Sequence, residues 1–171
     1  MEQMKIWFAS SEAAPFVKTG GLADVAGSLP IALKKLGVDI RVVLPKYRQI
    51  PVEYVNKMRF LGYTYVDLSW RHEYCGIFTL EHEGVPFYFL DNERFFNRYW
   101  YYGLPDDGER FTFFSRAILE VLPVIGFKPW IIHCNDWQTG LVPAFLDAHF
   151  RHHRNKGFFE AMHTIMTIHN L

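Results

Sequence analysis

"MKIWFASSEAAPFVKTGGLADVAGSLPIALKKLGVDIRVVLP", residues 4–45, is the stretch that decides the fold. Its first seven residues form an apolar run that stops at Ser10, Ser11 and Glu12, which predicts a short strand buried on both faces. A loop with the adjacent glycines Gly20 and Gly21 follows. Leu22, Val25, Ala26, Leu29, Leu33 and Leu36 then recur at helical spacing, with Lys34 and Lys35 near the end and Gly37 as the stop. Pro30 falls inside this helix, where it removes one backbone hydrogen bond and is expected to bend the axis. "VDIRVVLP" (38–45) reads as a second strand closed by Pro45. Strand, loop, helix and strand in about 40 residues make the βαβ unit of a parallel sheet.

The same alternation returns in the second half. Phe111, Phe114, Ile118, Val121, Leu122 and Ile125 mark one face of a helix that ends at Gly126. "PWIIHCND" (129–136) reads as a strand, "WQTGLVPAFLDAHF" (137–150) as a helix, and "HTIMTIHNL" (163–171) as a last strand, with the polar link "RHHRNKGFFE" (151–160) before it. Between the halves, residues 60–70, 73–84 and 85–92 look like strands with hairpin punctuation at Glu83-Gly84. Periodicity does not tell whether these extend the sheet or form a small antiparallel insert. "NERFFNRYWYYGLPDDGERF" (92–111) reads as an aromatic surface loop with a short helical turn. No internal repeat or low-complexity tract interrupts the pattern. The expected fold class is α/β: a doubly wound, mostly parallel, Rossmann-like sheet in a single domain over residues 1–171.

Composition narrows the function classes. Lys plus Arg equals Asp plus Glu at 18 each, so no global field draws the chain to nucleic acid or an anionic membrane. Aromatic residues reach 18%, enough to fill a core and to supply flat platforms for sugar rings. Cys75 and Cys134 have neither metal-site nor disulfide-framework spacing and read as reduced thiols. The opening residues lack a leader pattern, and no run reaches the roughly 18 apolar residues needed to span a bilayer. A soluble, cytoplasmic protein is expected, with neither nucleic acid nor membrane as partner.

Ligands of open parallel sheets bind beyond the carboxyl ends of the strands. Three such ends carry polar residues: the first leads to Lys18, Gly20 and Gly21, another to His133, Asn135 and Asp136, the last to His169 and Asn170. In a parallel sheet all three gather on one rim. The glycine loop has two readings. It is neither G-x-G-x-x-G nor a P-loop, yet two glycines at a helix start let backbone N–H groups and the helix dipole meet an anion, with Lys18 adding charge. Alternatively it is a turn with a solvated lysine. Asp136, read locally, is an N-cap for the following helix. Trp137 is either core or a stacking plate, and His133 reads as a satisfied core histidine. His149, His152 and His153 lack the carboxylate or cysteine that would complete a metal set. Asp106, Asp107 and Glu109 read as a capping cluster before the Phe111 helix. No G-x-S-x-G elbow suggests a hydrolase.

Taken together, "SSEAAPFVKTGGLADVAGSLP" (10–30), "RVVLPKY" (41–47), "DDGERFTFFSRAILE" (106–120), "IIHCNDWQTGLVP" (131–143) and "TIHNL" (167–171) give a chain that resembles the bacterial glycogen synthases and plant starch synthases, glycosyltransferases of the two-domain GT-B architecture. The resemblance implies the N-terminal half of a GT-B fold, incomplete, and transfer of glucose from ADP-glucose or UDP-glucose to the non-reducing 4-hydroxyl of an α-1,4-glucan with retention. It implies that Lys18, Gly20, Gly21, Asp24 and Asn170 serve the sugar-nucleotide donor, and that Trp137 lies against the glucan acceptor. His169 and Asp136 take the catalytic positions, and neither metal nor other cofactor is expected. Two local departures stand out: Leu104, where many relatives carry an aromatic, and Gln138, where histidine is also common. Family enzymes carry a second domain with most of the nucleotide pocket, so a fragment of a longer synthase, inactive alone and prone to self-association through an uncovered sheet surface, is expected. The alternative expectation is a non-catalytic glucan-binding or regulatory module.

Overall fold

A computed structural model describes residues 3–152 and 157–170. Seven strands form one sheet in the order β3-β4-β5-β2-β1-β6-β7. At its centre β1 (Lys5–Ala9) pairs in parallel with β2 (Asp39–Pro45) on one side and with β6 (Ile131–Asn135) on the other. Trp7 and Phe8 point to opposite faces of β1, and both are fully buried, so both faces are covered. The Trp7 indole N–H donates to the carbonyl of Ile118, 3.1 Å away, in α4 (Asp107–Val124). This is the apolar run of residues 4–10 explained: a strand with no wet face needs no polar alternation.

The connections set the position of the site. From β1 the chain passes through α1 (Gly21–Lys35) to β2 on one side, whereas from α4 it returns beyond β1 to β6 and then to β7 (His163–Thr167), which pairs in parallel with β6. The order therefore reverses between β1 and β6, and the crevice outside their carboxyl ends is the topological switch point.

β3 (Arg59–Leu68), β4 (Arg71–His82) and β5 (Val85–Asp91) extend the same sheet, antiparallel to one another, while β5 joins β2 in parallel. The β4–β5 turn has Glu83 at φ 49° and Gly84 at φ 77°. Two left-handed residues match the twist of a two-residue hairpin. Both cysteines are free and fully buried; burial pushes the Cys134 thiol up to about 12 and the Cys75 thiol higher still. No helix among the described residues is long and apolar enough to cross a membrane.

Three local readings need correction. Residues 137–150 are not one helix but a 3-10 turn (Trp137–Thr139), α5 (Val142–Phe145) and a π turn (Leu146–Phe150). Pro143 contributes no N–H to a continuing α-helical ladder, and Gly140 ends the first turn. Residues 92–111 do not lie loosely on the surface. Phe95 and Phe96 are fully buried in α3 (Glu93–Phe96), and the buried Arg110 guanidinium donates to the carbonyls of Phe95 (2.8 Å) and Tyr101 (3.0 Å). The acidic residues before Phe111 do not cap their helix through side chains. Asp106 pairs with Arg98, Asp107 with Arg110, and Glu109 with Arg71.

Candidate active site

The site begins where β1 ends. Ser10 and Ser11 are buried, and Glu12, 3% exposed, turns its carboxylate onto the loop. Glu12 Oε2 accepts from the Thr19 backbone N–H (2.8 Å) and from the Thr19 hydroxyl (2.6 Å). The loop is further tied by the Ala14 N–H to the Ala23 carbonyl, 2.9 Å, and Gly27 lies so close to Ala14 that a Cβ there would fall 2.6 Å from its carbonyl oxygen. Gly20, at the N-cap of α1, has extended backbone, and no side chain caps the helix. A Cβ added at Gly20 or Gly21 would meet no atom within 4 Å, so the helix start is open on that side.

At the end of β6, Asp136 adopts φ 60° and ψ 177°. It does not act as an N-cap. Its carboxylate instead crosses to the chain leaving β7: Oδ1 accepts the backbone N–H groups of His169 (2.5 Å) and Asn170 (3.3 Å), and Oδ2 accepts the Asn170 amide, 2.8 Å. The physical reason is proximity across a parallel pair, since Asn135 stands opposite Thr167 in register. His169 Nε2 lies 2.9 Å from Asn135 Oδ1. His133 is half-buried, edge-on to Phe8 and 2.8 Å from the Thr167 hydroxyl. Burial, with the adjacent His169 adding to it, holds its imidazolium form below the usual range.

Asp136 and Asn170 border a cleft of ≈ 370 Å³ that is also lined by Glu12, Gly20, Tyr102 and Trp137, among others. Trp137 stands edge-on against Phe111 at 5.1 Å and remains 55% exposed, so the indole is braced yet open to a flat ligand. Tyr102 donates to or accepts from Ser11 Oγ at 2.8 Å, and burial raises its phenol well above the usual value.

Of the residues singled out from sequence, Gly20, Asp136, Trp137 and Asn170 share this cleft, with Gly21 beside Gly20 and His169 bound to Asn135 and Asp136. Lys18 and Asp24 take a different position. They form an ion pair at 2.7 Å, more than half exposed, and neither lines the cleft. Asp24 borders a larger groove of ≈ 630 Å³ that runs along α1 toward the β4–β5 turn. His149 packs at a tilt against Phe145 and belongs to the π turn, while His153 lies outside the described residues. Tyr102 lies in no family motif, and Glu12, although inside the stretch 10–30, is not among the residues singled out from sequence. A carboxylate directly after an apolar strand is a further signal for Glu12.

Comparison with known proteins matches residues 5–171 to the family described as the starch synthase catalytic domain. The chain is 55% identical to the glycogen synthase of Desulforamulus reducens over 98% of its length, and 54% identical to that of Geobacillus stearothermophilus over the same share. It spans about a third, 34%, of the length of each. Among solved structures, the catalytic domain of starch synthase IV from Arabidopsis thaliana, bound to ADP and acarbose, superposes with a TM-score of 0.87 at 35% identity, over 99% of this chain and 34% of that one.

Proposed function

The chain belongs to the starch synthase catalytic domain family, and on that premise we propose that it forms one wall of the active site of a retaining glucosyltransferase. The reaction moves glucose from ADP-glucose, or UDP-glucose, to the non-reducing 4-hydroxyl of an α-1,4-glucan. The observation that carries this reading is the meeting of Gly20, Asp136, Trp137 and Asn170 in one cleft at the switch point. The Arabidopsis structure, which holds ADP and acarbose, supports the ligand classes.

In this reading the N–H groups at Gly20, Gly21 and the start of α1 meet the donor's diphosphate. Lys18, tethered by Asp24 at the loop, adds its charge when a phosphate replaces that partner. Trp137 offers its face to an acceptor glucose. His169 and Asn170 stand beside the transferred sugar, and Asp136 holds both in place. The leaving phosphate takes part in deprotonating the acceptor hydroxyl, so the proposal needs neither a protein nucleophile nor a metal or cofactor.

The cleft also limits what this chain does alone. Among the described residues lining it there are two carboxylates, Glu12 and Asp136, and no lysine or arginine. Stabilising the charge that develops on a departing diphosphate requires cationic or dipolar groups aimed at it. The 171-residue protein is therefore expected to bind glucan through Trp137 and to transfer little glucose. Titration with maltoheptaose, followed by calorimetry, tests the first part. Trp137→Ala should weaken binding roughly tenfold, the equivalent of ~1.4 kcal/mol. Undiminished binding in that variant contradicts the assignment. Robust incorporation of labelled glucose by the 171-residue protein contradicts the second part.

A further inference from the structure

Asn135, the last residue of β6, is fully buried. Its amide nitrogen donates to the carbonyl oxygens of Ala9 (3.1 Å) and His133 (3.2 Å). Carbonyl oxygens only accept, so these two partners fix which end of the amide is which. The remaining atom, Oδ1, must face His169 Nε2 at 2.9 Å. An amide oxygen also only accepts, so the facing ring nitrogen has to carry the proton.

From this geometry we infer that Asn135 is a positioning residue that fixes neutral His169 as its Nε2–H tautomer and leaves the Nδ1 lone pair as the ring's acceptor for a ligand hydroxyl. The next residue completes the grip. In a regular strand the side chains of Asn135 and Asp136 would point to opposite faces. The left-handed backbone at Asp136, φ 60°, breaks that alternation, so Asn135 holds the imidazole while Asp136 holds the backbone N–H of the same residue. A non-glycine residue at positive φ with extended ψ is strained, and the paired contacts offset the strain. The functional meaning of the tautomer rests on reading this cleft as a sugar-transfer site. The tautomer itself does not.

The test is a long-range proton–nitrogen correlation spectrum of the 171-residue protein labelled with ¹⁵N-histidine, recorded near pH 8, above the usual imidazole range of about 6.5. His169 should appear as a single Nε2–H tautomer with a slowly exchanging Nε2 proton. Asn135→Ala should lose that proton to exchange and bring the two nitrogen shifts toward their average. Asn135→Asp, which keeps an acceptor at the same place, should retain the Nε2–H signature. A wild-type proton on Nδ1, or an Asn135→Ala spectrum unchanged in tautomer and exchange, overturns the inference. The wild-type spectrum decides even if a variant fails to fold. Failure of ADP-glucose or maltoheptaose to reach the cleft would count against the proposed function and leave the tautomer standing.

Discussion

Asp136 carries more of the local architecture than any other polar side chain of the cleft. It is 2% exposed and receives three donors from residues 169 and 170. Removing a buried acceptor leaves its donors unsatisfied, at ~1–3 kcal/mol. Asp136→Ala should therefore lower unfolding stability in urea by that amount, and an unchanged midpoint would show that the pair at 169–170 is held by something else. His133 gives a pH dependence. Burial lowers its folded-state pKa, so the folded form binds fewer protons than the unfolded chain below about pH 6.5. The resulting stability is fully present above that pH and is lost as pH falls through the depressed folded value. His133→Gln should flatten the stability profile over this window, and a profile as steep as the wild type's would assign the slope elsewhere. The Lys18–Asp24 pair differs in kind, because both partners are more than half exposed. Asp24→Asn should change stability by less than ~1 kcal/mol, which leaves placing the amine as the pair's main effect.

The elements divide according to what a linear pattern can encode. β1, α1 and β2 follow directly from an uninterrupted apolar run, a 3.6-residue period and the breaks at Gly37 and Pro45. The segment 137–150 has the same apolar content but breaks into three pieces, because Gly140 and Pro143 act on backbone hydrogen bonding, which the apolar period does not report. The strands of residues 59–91 were legible as strands, but their joining of the main sheet was not, since alternation specifies a wet and a dry face and says nothing about which edge is shared. Residues 92–111 were misread for a related reason: aromatic, Pro/Gly-punctuated sequence suits a loop, and only the buried Arg110 reveals that the loop is tied down. Gly27 supplies the prediction at this scale. Its α1 backbone lies against the Ala14 carbonyl, and an added Cβ at 2.6 Å forces the loop or the helix to move. Gly27→Ala should cost ~1–3 kcal/mol and broaden the amide signals of residues 14–21. A wild-type melting curve would mean that the contact relaxes freely.

Across the whole molecule, the site is built by topology more than by any one motif. The gathering of three strand ends on one rim was readable once a parallel sheet was inferred, because strands β1, β6 and β7 run together and their carboxyl ends must meet. The turning of Lys18 onto Asp24 was not readable, since it depends on side-chain placement at short range. At the far side of β7, the last strand of the described sheet, Ile165 and Met166 are substantially exposed, as is Ile168 just beyond it. An unpaired apolar edge invites a second chain, so light scattering should show a mass that rises with concentration, reduced by Ile165→Lys; a constant monomer mass would contradict this. Whether the cleft outside β1, β6 and β7 receives an activated glucose is read from the amide shifts of the ¹⁵N-labelled protein during titration with ADP-glucose. The largest changes should fall on Gly20, Gly21 and Asn170. Changes confined to the groove along α1 and the β4–β5 turn, or no changes at saturating nucleotide sugar, would contradict it.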